Sequence, residues 1–260
     1  MQKDMLLEFK AEKVVTLLKE GKRLDARKVD EYREIKIEKD IYQNAEGSAK
    51  VSLGDTEVIA GVKLILGTPY PDMPNEGTIS TGMELIPLAS PYFESGPPST
   101  ASIEISRVID RGIRESKAVD FEKLCVKQGE LVFIGFIDMY AINYDGNLFD
   151  AGSIASLAAL NEAKMPKVED GKIVKGEYSG KLKLKRKPLL STFSKIGNTI
   201  IVDPTLLEET ASQARFSVAT TEDNFVSAFQ KGLSGSIKKD DVDNALDIAF
   251  KTAKEIRKKL

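Results

Sequence analysis

The 260-residue chain has no histidine, no tryptophan and a single cysteine, Cys125. Without histidine there is no Ser-His-Asp or Cys-His catalysis and no imidazole ligand for a metal within one chain. One cysteine makes neither an internal disulfide nor a zinc knuckle. Its setting in the apolar-spaced stretch Phe121–Val126 predicts a reduced core residue rather than a nucleophile. No apolar run approaches the ~18–20 residues of a membrane span, and Met1–Lys10 mixes acidic and basic side chains, so the expectation is a cytoplasmic protein without membrane contact. P-loop, GxGxxG and Ser-x-x-Lys patterns are also missing, which leaves nucleotide-hydrolase and nucleophilic-enzyme readings little to stand on.

What is present is a globular composition, 42% hydrophobic and 30% charged with a formal net charge of −2, able to bury a core in one large or two modest domains. Apolar positions at helical spacing (Met5, Leu6, Phe9, Val14, Val15, Leu17, Leu18) predict an N-terminal helix over 4–19, with Gly21 as its stop. Strand-like runs at Glu34–Glu38, Ala49–Leu53 and Glu57–Leu66, the last two separated by Gly54-Asp55, read as an antiparallel meander. Pro69, Pro71 and Pro74 make Gly67–Gly77 an irregular loop before a strand at Ser80–Leu88. A helix over Thr100–Lys117 with Ser99 or Thr100 as cap, a strand over Leu131–Asn143 and a buried helix over Ala151–Ala163 complete the first half. Lys164–Gly180 reads as a polar loop joining the halves. The second half holds strands at Leu189–Ser194, Thr199–Val202, Arg215–Thr220 and Phe225–Gln230, and helices at Thr205–Thr210 and Asp240–Lys259. The class is α+β: an N-terminal helix and lead-in (1–29), a first domain (30–165), a linker and basic strand (166–187) and a second domain (188–260).

The 102–117 helix carries most of the functional information, because Arg107, Arg111 and Arg114 recur at i, i+4 and i+7 beside the apolar stripe Ile105, Val108, Ile109 and Ile113. A guanidinium suits phosphate, since its fork donates parallel hydrogen bonds and never loses its charge. The competing account pairs these arginines with Glu104, Asp110 and Glu115. The Lys181–Lys187 run alternates Leu with Lys, predicting an edge strand that buries Leu182 and Leu184 and either guards the sheet edge or touches nucleic acid. Lys251, Lys254, Arg257, Lys258 and Lys259 complement the dipole of the last helix. Asp203-Pro204-Thr205 reads as a turn in which Asp203 caps a helix, with Glu208 and Glu209 on its exposed side.

Several stretches occur in a specific order: Gly21-Lys22-Arg23-Leu24-Asp25-Ala26-Arg27; Gly47-Ser48-Ala49 with Gly54-Asp55-Thr56; Pro71-Asp72-Met73-Pro74-Asn75-Glu76-Gly77; Glu104 to Ser116; and Tyr144-Asp145-Gly146-Asn147. In these the sequence resembles the RNase PH-like subunits of the archaeal exosome, specifically the larger, non-catalytic kind. The resemblance implies an RNase PH-like fold, a βαβα-type core sheet packed against helices followed by a smaller second RNase PH-like subdomain. Catalytic members of the family degrade RNA from its 3′ end with inorganic phosphate as the attacking group. Their phosphate-binding Arg-Arg pair falls on Thr100 and Ala101 here, and their two acidic positions fall on Glu209 and Arg215. By resemblance, then, the chain has no catalytic residue, cofactor or metal of its own, and inorganic phosphate and Mg²⁺ belong to a partner's active site. It would alternate with a catalytic RNase PH-like subunit in a heterohexameric ring, three plus three, with RNA-binding cap proteins. Single-stranded RNA would meet Arg107 and Arg111, and less centrally Arg114. Base stacking within this chain should be weak, because there is no Trp and few aromatics lie near the arginine helix. The alternative is an active homo-oligomeric phosphorolytic exoribonuclease acting on RNA 3′ ends, against which the missing arginine pair stands.

Overall fold

A computed structural model describes residues 5–260, with side chains from Ala11 onward. Helix α1 (Met5–Lys19) ends where Gly21 takes φ +73°. Residue 4 and the side chains of Met5, Leu6 and Phe9 lie outside the described residues. Farther along α1, Val14 and Leu18 are buried against Ile196 and Ile201 of the second half.

The first sheet is built from β1 (Ile35–Lys39), β2 (Gly47–Leu53), β3 (Thr56–Gly67), β4 (Thr78–Leu85), β5 (Cys125–Lys127) and β6 (Leu131–Asn143). Its order is β1-β2-β3-β6-β4, with β5 also beside β6. The meander β1-β2-β3 is antiparallel, Gly54 supplying the positive φ of the β2–β3 turn, whereas β4 runs parallel to β6 at the sheet edge. Cys125 is half-exposed in β5 rather than a core residue, because this three-residue strand lies outside the sheet's main path.

Two helices cover the inner face of this sheet. Helix α2 (Thr100–Glu115) starts at Ser99, whose Oγ accepts the Ser102 N–H at 3.2 Å, and buries Ile105, Val108, Ile109 and Ile113. Helix α3 (Leu148–Glu162) begins earlier than its apolar run suggests, because the Asn147 side chain caps it by accepting the Asp150 N–H at 3.3 Å. It is buried from Leu148 to Leu160, lying between β2 and β3 on one side and the second sheet on the other.

That second sheet has order β10-β9-β11-β12, with β9 at Leu189–Ile196, β10 at Thr199–Val202, β11 at Ala214–Thr220 and β12 at Val226–Gly232. Every residue of β9 is buried, since α3 lies on one face and α5 (Lys239–Arg257) on the other. Helix α4 (Leu206–Ala211) packs beside α1.

The segment after α3 differs from its polar reading. Lys164–Glu169 (β7) and Lys172–Lys181 (β8) form a hairpin. Asp170 and Gly171 turn it with φ +47° and +74°, the Asp-Gly signature of a tight hairpin, and Met165 and Val168 pack on the core. Lys181–Lys187 is no strand beyond Lys181: Leu184 makes one bridge to Val119. Leu182 and Leu184 do turn inward, while Lys181, Lys185 and Arg186 find partners in Glu162, Asp120 and Asp223.

The join between the halves rests on a buried ionic cluster. Arg23, with its side chain 0% exposed, grips Glu208 with two hydrogen bonds, at 2.8 and 2.6 Å. Its remaining donors reach the carbonyls of Val202 at 3.0 Å and Asp203 at 2.8 Å. Asp203 does not cap α4; Thr205 does, its N–H donating to Glu208 Oε2 at 2.8 Å. Asp203 instead sits at φ +49° and receives Arg33 at 2.7 Å, Arg27 at 2.9 Å and Asn147 at 2.7 Å. Close to this cluster Gly146 has φ +86°, and a Cβ there would lie 2.5 Å from the backbone of Thr205 and Leu206. Gly146→Ala is therefore expected to lower stability by ~2–4 kcal/mol, from overpacking plus backbone strain. A urea unfolding midpoint unchanged from the parent would refute that reading of the turn.

Candidate nucleic-acid interface

Helix α2 places its three arginines along the edge strand β4, but it does not use them alike. Arg114 is committed within the chain: Nε donates to Asp110 Oδ2 at 3.1 Å, Nη2 to the Ile79 carbonyl at 2.8 Å, and the guanidinium lies 5.6 Å from the Phe121 ring centroid. It fastens the helix to β4. Arg111 makes one hydrogen bond, to neutral Gln230 at 3.3 Å, and among the described residues Arg107 makes none. Both are exposed. The acids that could have neutralised them are engaged elsewhere, Asp110 with Arg114 and Glu104 with Arg215. Glu115, four residues beyond Arg111, also lines their groove. Between α2 and β4 the three arginines line an open groove of about 420 Å³, with Asp110, Glu115, Ser80, Thr81 and Ser106 as its further polar groups.

A second, smaller cavity of about 90 Å³ gathers three of the four positions that the resemblance sets against catalytic ones, Ala101, Glu209 and Arg215, but not Thr100. Ala101 and Glu104 from α2, Tyr144 and Phe149 from the α3 entry, and Glu209 and Arg215 from the second half line it. These groups are satisfied by one another. Arg215 meets Glu104 at 2.5 Å and lies 4.3 Å from the Phe149 ring centroid. Glu209 accepts the Tyr144 hydroxyl at 2.6 Å and the Asn147 N–H at 2.8 Å. Neither acid of α4 faces solvent as its helical position suggested: Glu208 is buried beneath Arg23, and Glu209 turns into this cavity. Burial pushes the Glu209 carboxyl above its ordinary value despite both hydrogen bonds, and burial together with the Glu209 charge pushes the Tyr144 hydroxyl well up.

A phosphate dianion does not fit this cavity, because its one guanidinium is already neutralised and two carboxyl groups line the wall. Sequence reasoning found these positions but not their pairing; the Glu104–Arg215 contact spans 111 residues and leaves no local signal.

Next to cavity-lining Phe149, Asp150 is fully buried at the start of α3, and burial pushes its carboxyl up to about 6. The Thr192 hydroxyl and N–H, Asn147 Nδ2 and the Tyr32 hydroxyl all donate to it and favour the carboxylate. Because the folded value lies above the ordinary 3.8, this group's contribution to stability falls as the pH rises through that interval and is level above it. A carboxyl ¹³C titration should place Asp150 near 6; a midpoint in the ordinary carboxylate range would contradict it.

No helix among the described residues is long and apolar enough to cross a membrane. Residues 31–166 match domain 1 of the 3′ exoribonuclease family, RNase PH, and residues 188–252 match its domain 2. The exosome complex component Rrp42 of Thermococcus gammatolerans is 49% identical over 251 residues, 95% of this chain and 92% of the relative. The Rrp42 component of Methanothermobacter thermautotrophicus is 44% identical, with 97% and 94% covered. A chain in the structure of the Archaeoglobus fulgidus exosome with RNA bound to the active site superposes with a TM-score of 0.93 at 41% identity, over 98% of this chain and 99% of that one. A chain of an archaeal exosome core superposes with a TM-score of 0.89 at 37% identity, over 100% and 99%. With both domains matched in order and such relatives over nearly its whole length, the chain belongs to the 3′ exoribonuclease, or RNase PH, family.

Proposed function

We propose that this chain is the non-catalytic ring subunit of an archaeal exosome. It alternates with a catalytic RNase PH-family partner, three plus three, in the cytoplasm. It holds single-stranded RNA beside the partner's active site during 3′-to-5′ phosphorolysis. One contrast carries the reading: Arg107 and Arg111 are exposed on an open groove and make no ion pair among the described residues, whereas in the cavity that holds Ala101, Glu209 and Arg215 the one guanidinium is already paired with Glu104. The relatives named above are exosome components.

Exposed guanidinium groups bind the phosphate backbone irrespective of base, so the grip is sequence-tolerant and salt-sensitive. Arg114 contributes chiefly by holding α2 in place. Inorganic phosphate and Mg²⁺ act at the partner's site, and RNA-binding cap proteins complete the assembly.

The test is to co-purify the chain with a catalytic RNase PH-family subunit, weigh the complex by native mass spectrometry, and photo-crosslink it to thiouridine-substituted RNA. An alternating ring with crosslinks on α2 is expected. A ring whose crosslinks on this chain all avoid α2 would remove the RNA-holding role, and failure to co-assemble would remove the ring role.

A further inference from the structure

The loop between β3 and β4 holds Tyr70 between Pro69 and Pro71 with 62% of its surface exposed. Proline fixes the backbone φ at its own position, and the Met73 N–H donates to the Tyr70 carbonyl at 3.0 Å to close a turn. The loop therefore presents the ring instead of letting it collapse onto the sheet.

Tyr70 lines a cleft of about 610 Å³, together with the apolar side chains Val132, Ile134 and Phe136. This cleft and the arginine groove share Ile79, Ser80 and Arg114, so the two are ends of one trough crossing edge strand β4. One end offers the Arg107 and Arg111 guanidinium groups, which make no ion pair among the described residues although Asp110 and Glu115 also line that end; the other offers the Tyr70 and Phe136 rings beside aliphatic side chains, with Glu76 on its wall. A single strand of nucleic acid has the same two-part chemistry, with a charged backbone and flat apolar bases.

We propose that Tyr70 is a base-stacking subsite for single-stranded RNA whose backbone is held by Arg107 and Arg111, a proposal that rests on the RNA-holding reading above. In sequence Tyr70 is far from the arginines; the fold brings it to the other end of their groove. Because every base has a π-face, the subsite adds grip without base preference.

The test uses the ring assembled with its catalytic partner and compares binding of oligo(A) with binding of an abasic ribose-phosphate oligomer of equal length. Tyr70→Ala and Tyr70→Leu should weaken oligo(A) binding by about 5- to 100-fold. Both should leave abasic binding and the salt slope unchanged, and Tyr70→Phe should bind like the parent. The Arg107→Glu/Arg111→Glu ring should lose affinity for both ligands. If the Tyr70 variants bind oligo(A) like the parent while the arginine variant does not, stacking is wrong and the RNA-holding reading stands. If the arginine variant is also silent, both fail. If Tyr70→Ala folds but no longer enters the ring, the cleft belongs to a protein neighbour and the proposal is overturned.

Discussion

Arg23→Ala should lower the unfolding free energy by about 3–5 kcal/mol, the usual cost of removing one partner from a buried ion pair. That is a large share of the ~5–15 kcal/mol that stabilises a typical domain. The variant leaves Glu208 buried without its guanidinium and removes a donor from the carbonyls of Lys28, Glu31, Val202 and Asp203, of which Asp203 keeps Arg27. Lysine cannot restore the two parallel bonds to Glu208, so Arg23→Lys should recover only part of the loss. Acid should weaken the same cluster. Burial alone would raise the Asp203 carboxyl, but the Arg33 hydrogen bonds and charge, with Arg27 and Asn147, hold it below 3.8. Its contribution is therefore complete above that value and is lost as the pH falls through the lower folded value. Urea unfolding of Arg23→Ala at neutral pH measures the first effect, and a cost under about 1 kcal/mol would mean the cluster does not hold the halves together.

The second large effect falls on RNA. A charge-assisted hydrogen bond contributes about 1.5–3 kcal/mol, so the assembled ring carrying Arg107→Glu/Arg111→Glu should bind oligo(A) about 100-fold or more weakly at low salt. The slope of log affinity against log salt should flatten by about 0.7 for each RNA phosphate that is no longer neutralised. Both side chains are exposed, so the monomer's stability should move by no more than about 0.5 kcal/mol. Fluorescence anisotropy across a salt series reads affinity and slope together. Parent-like values for both would place the RNA elsewhere on the ring.

Much of the fold was legible because it is written in local pattern. The meander strands, the Ser99 cap and the apolar stripe of α2 each follow from spacing along a few residues. The β7–β8 hairpin was equally local, with Asp170-Gly171 marking its turn, but its lysines and glutamates disguise two strands whose outer faces are solvated. What could not be read was the pairing of charges across the chain. Arg23 and Glu208 are 185 residues apart, and Arg215 and Glu104 are 111 apart. Nothing near Asp203 announces that three arginines converge on it; Asp before Pro reads first as a cap. The same limit applied to the site. Three arginines at helical spacing look equivalent, and only packing against Ile79 and Phe121 separates Arg114 from the other two.

The most direct test is phosphate-dependent release of nucleoside diphosphates from oligo(A) in Mg²⁺, measured for this chain alone, for its catalytic partner alone and for the two mixed. The Glu104–Arg215 closure of the cavity predicts no release by this chain, and the arginine groove predicts that the mixture exceeds the partner alone. Phosphorolysis by this chain alone would contradict the account.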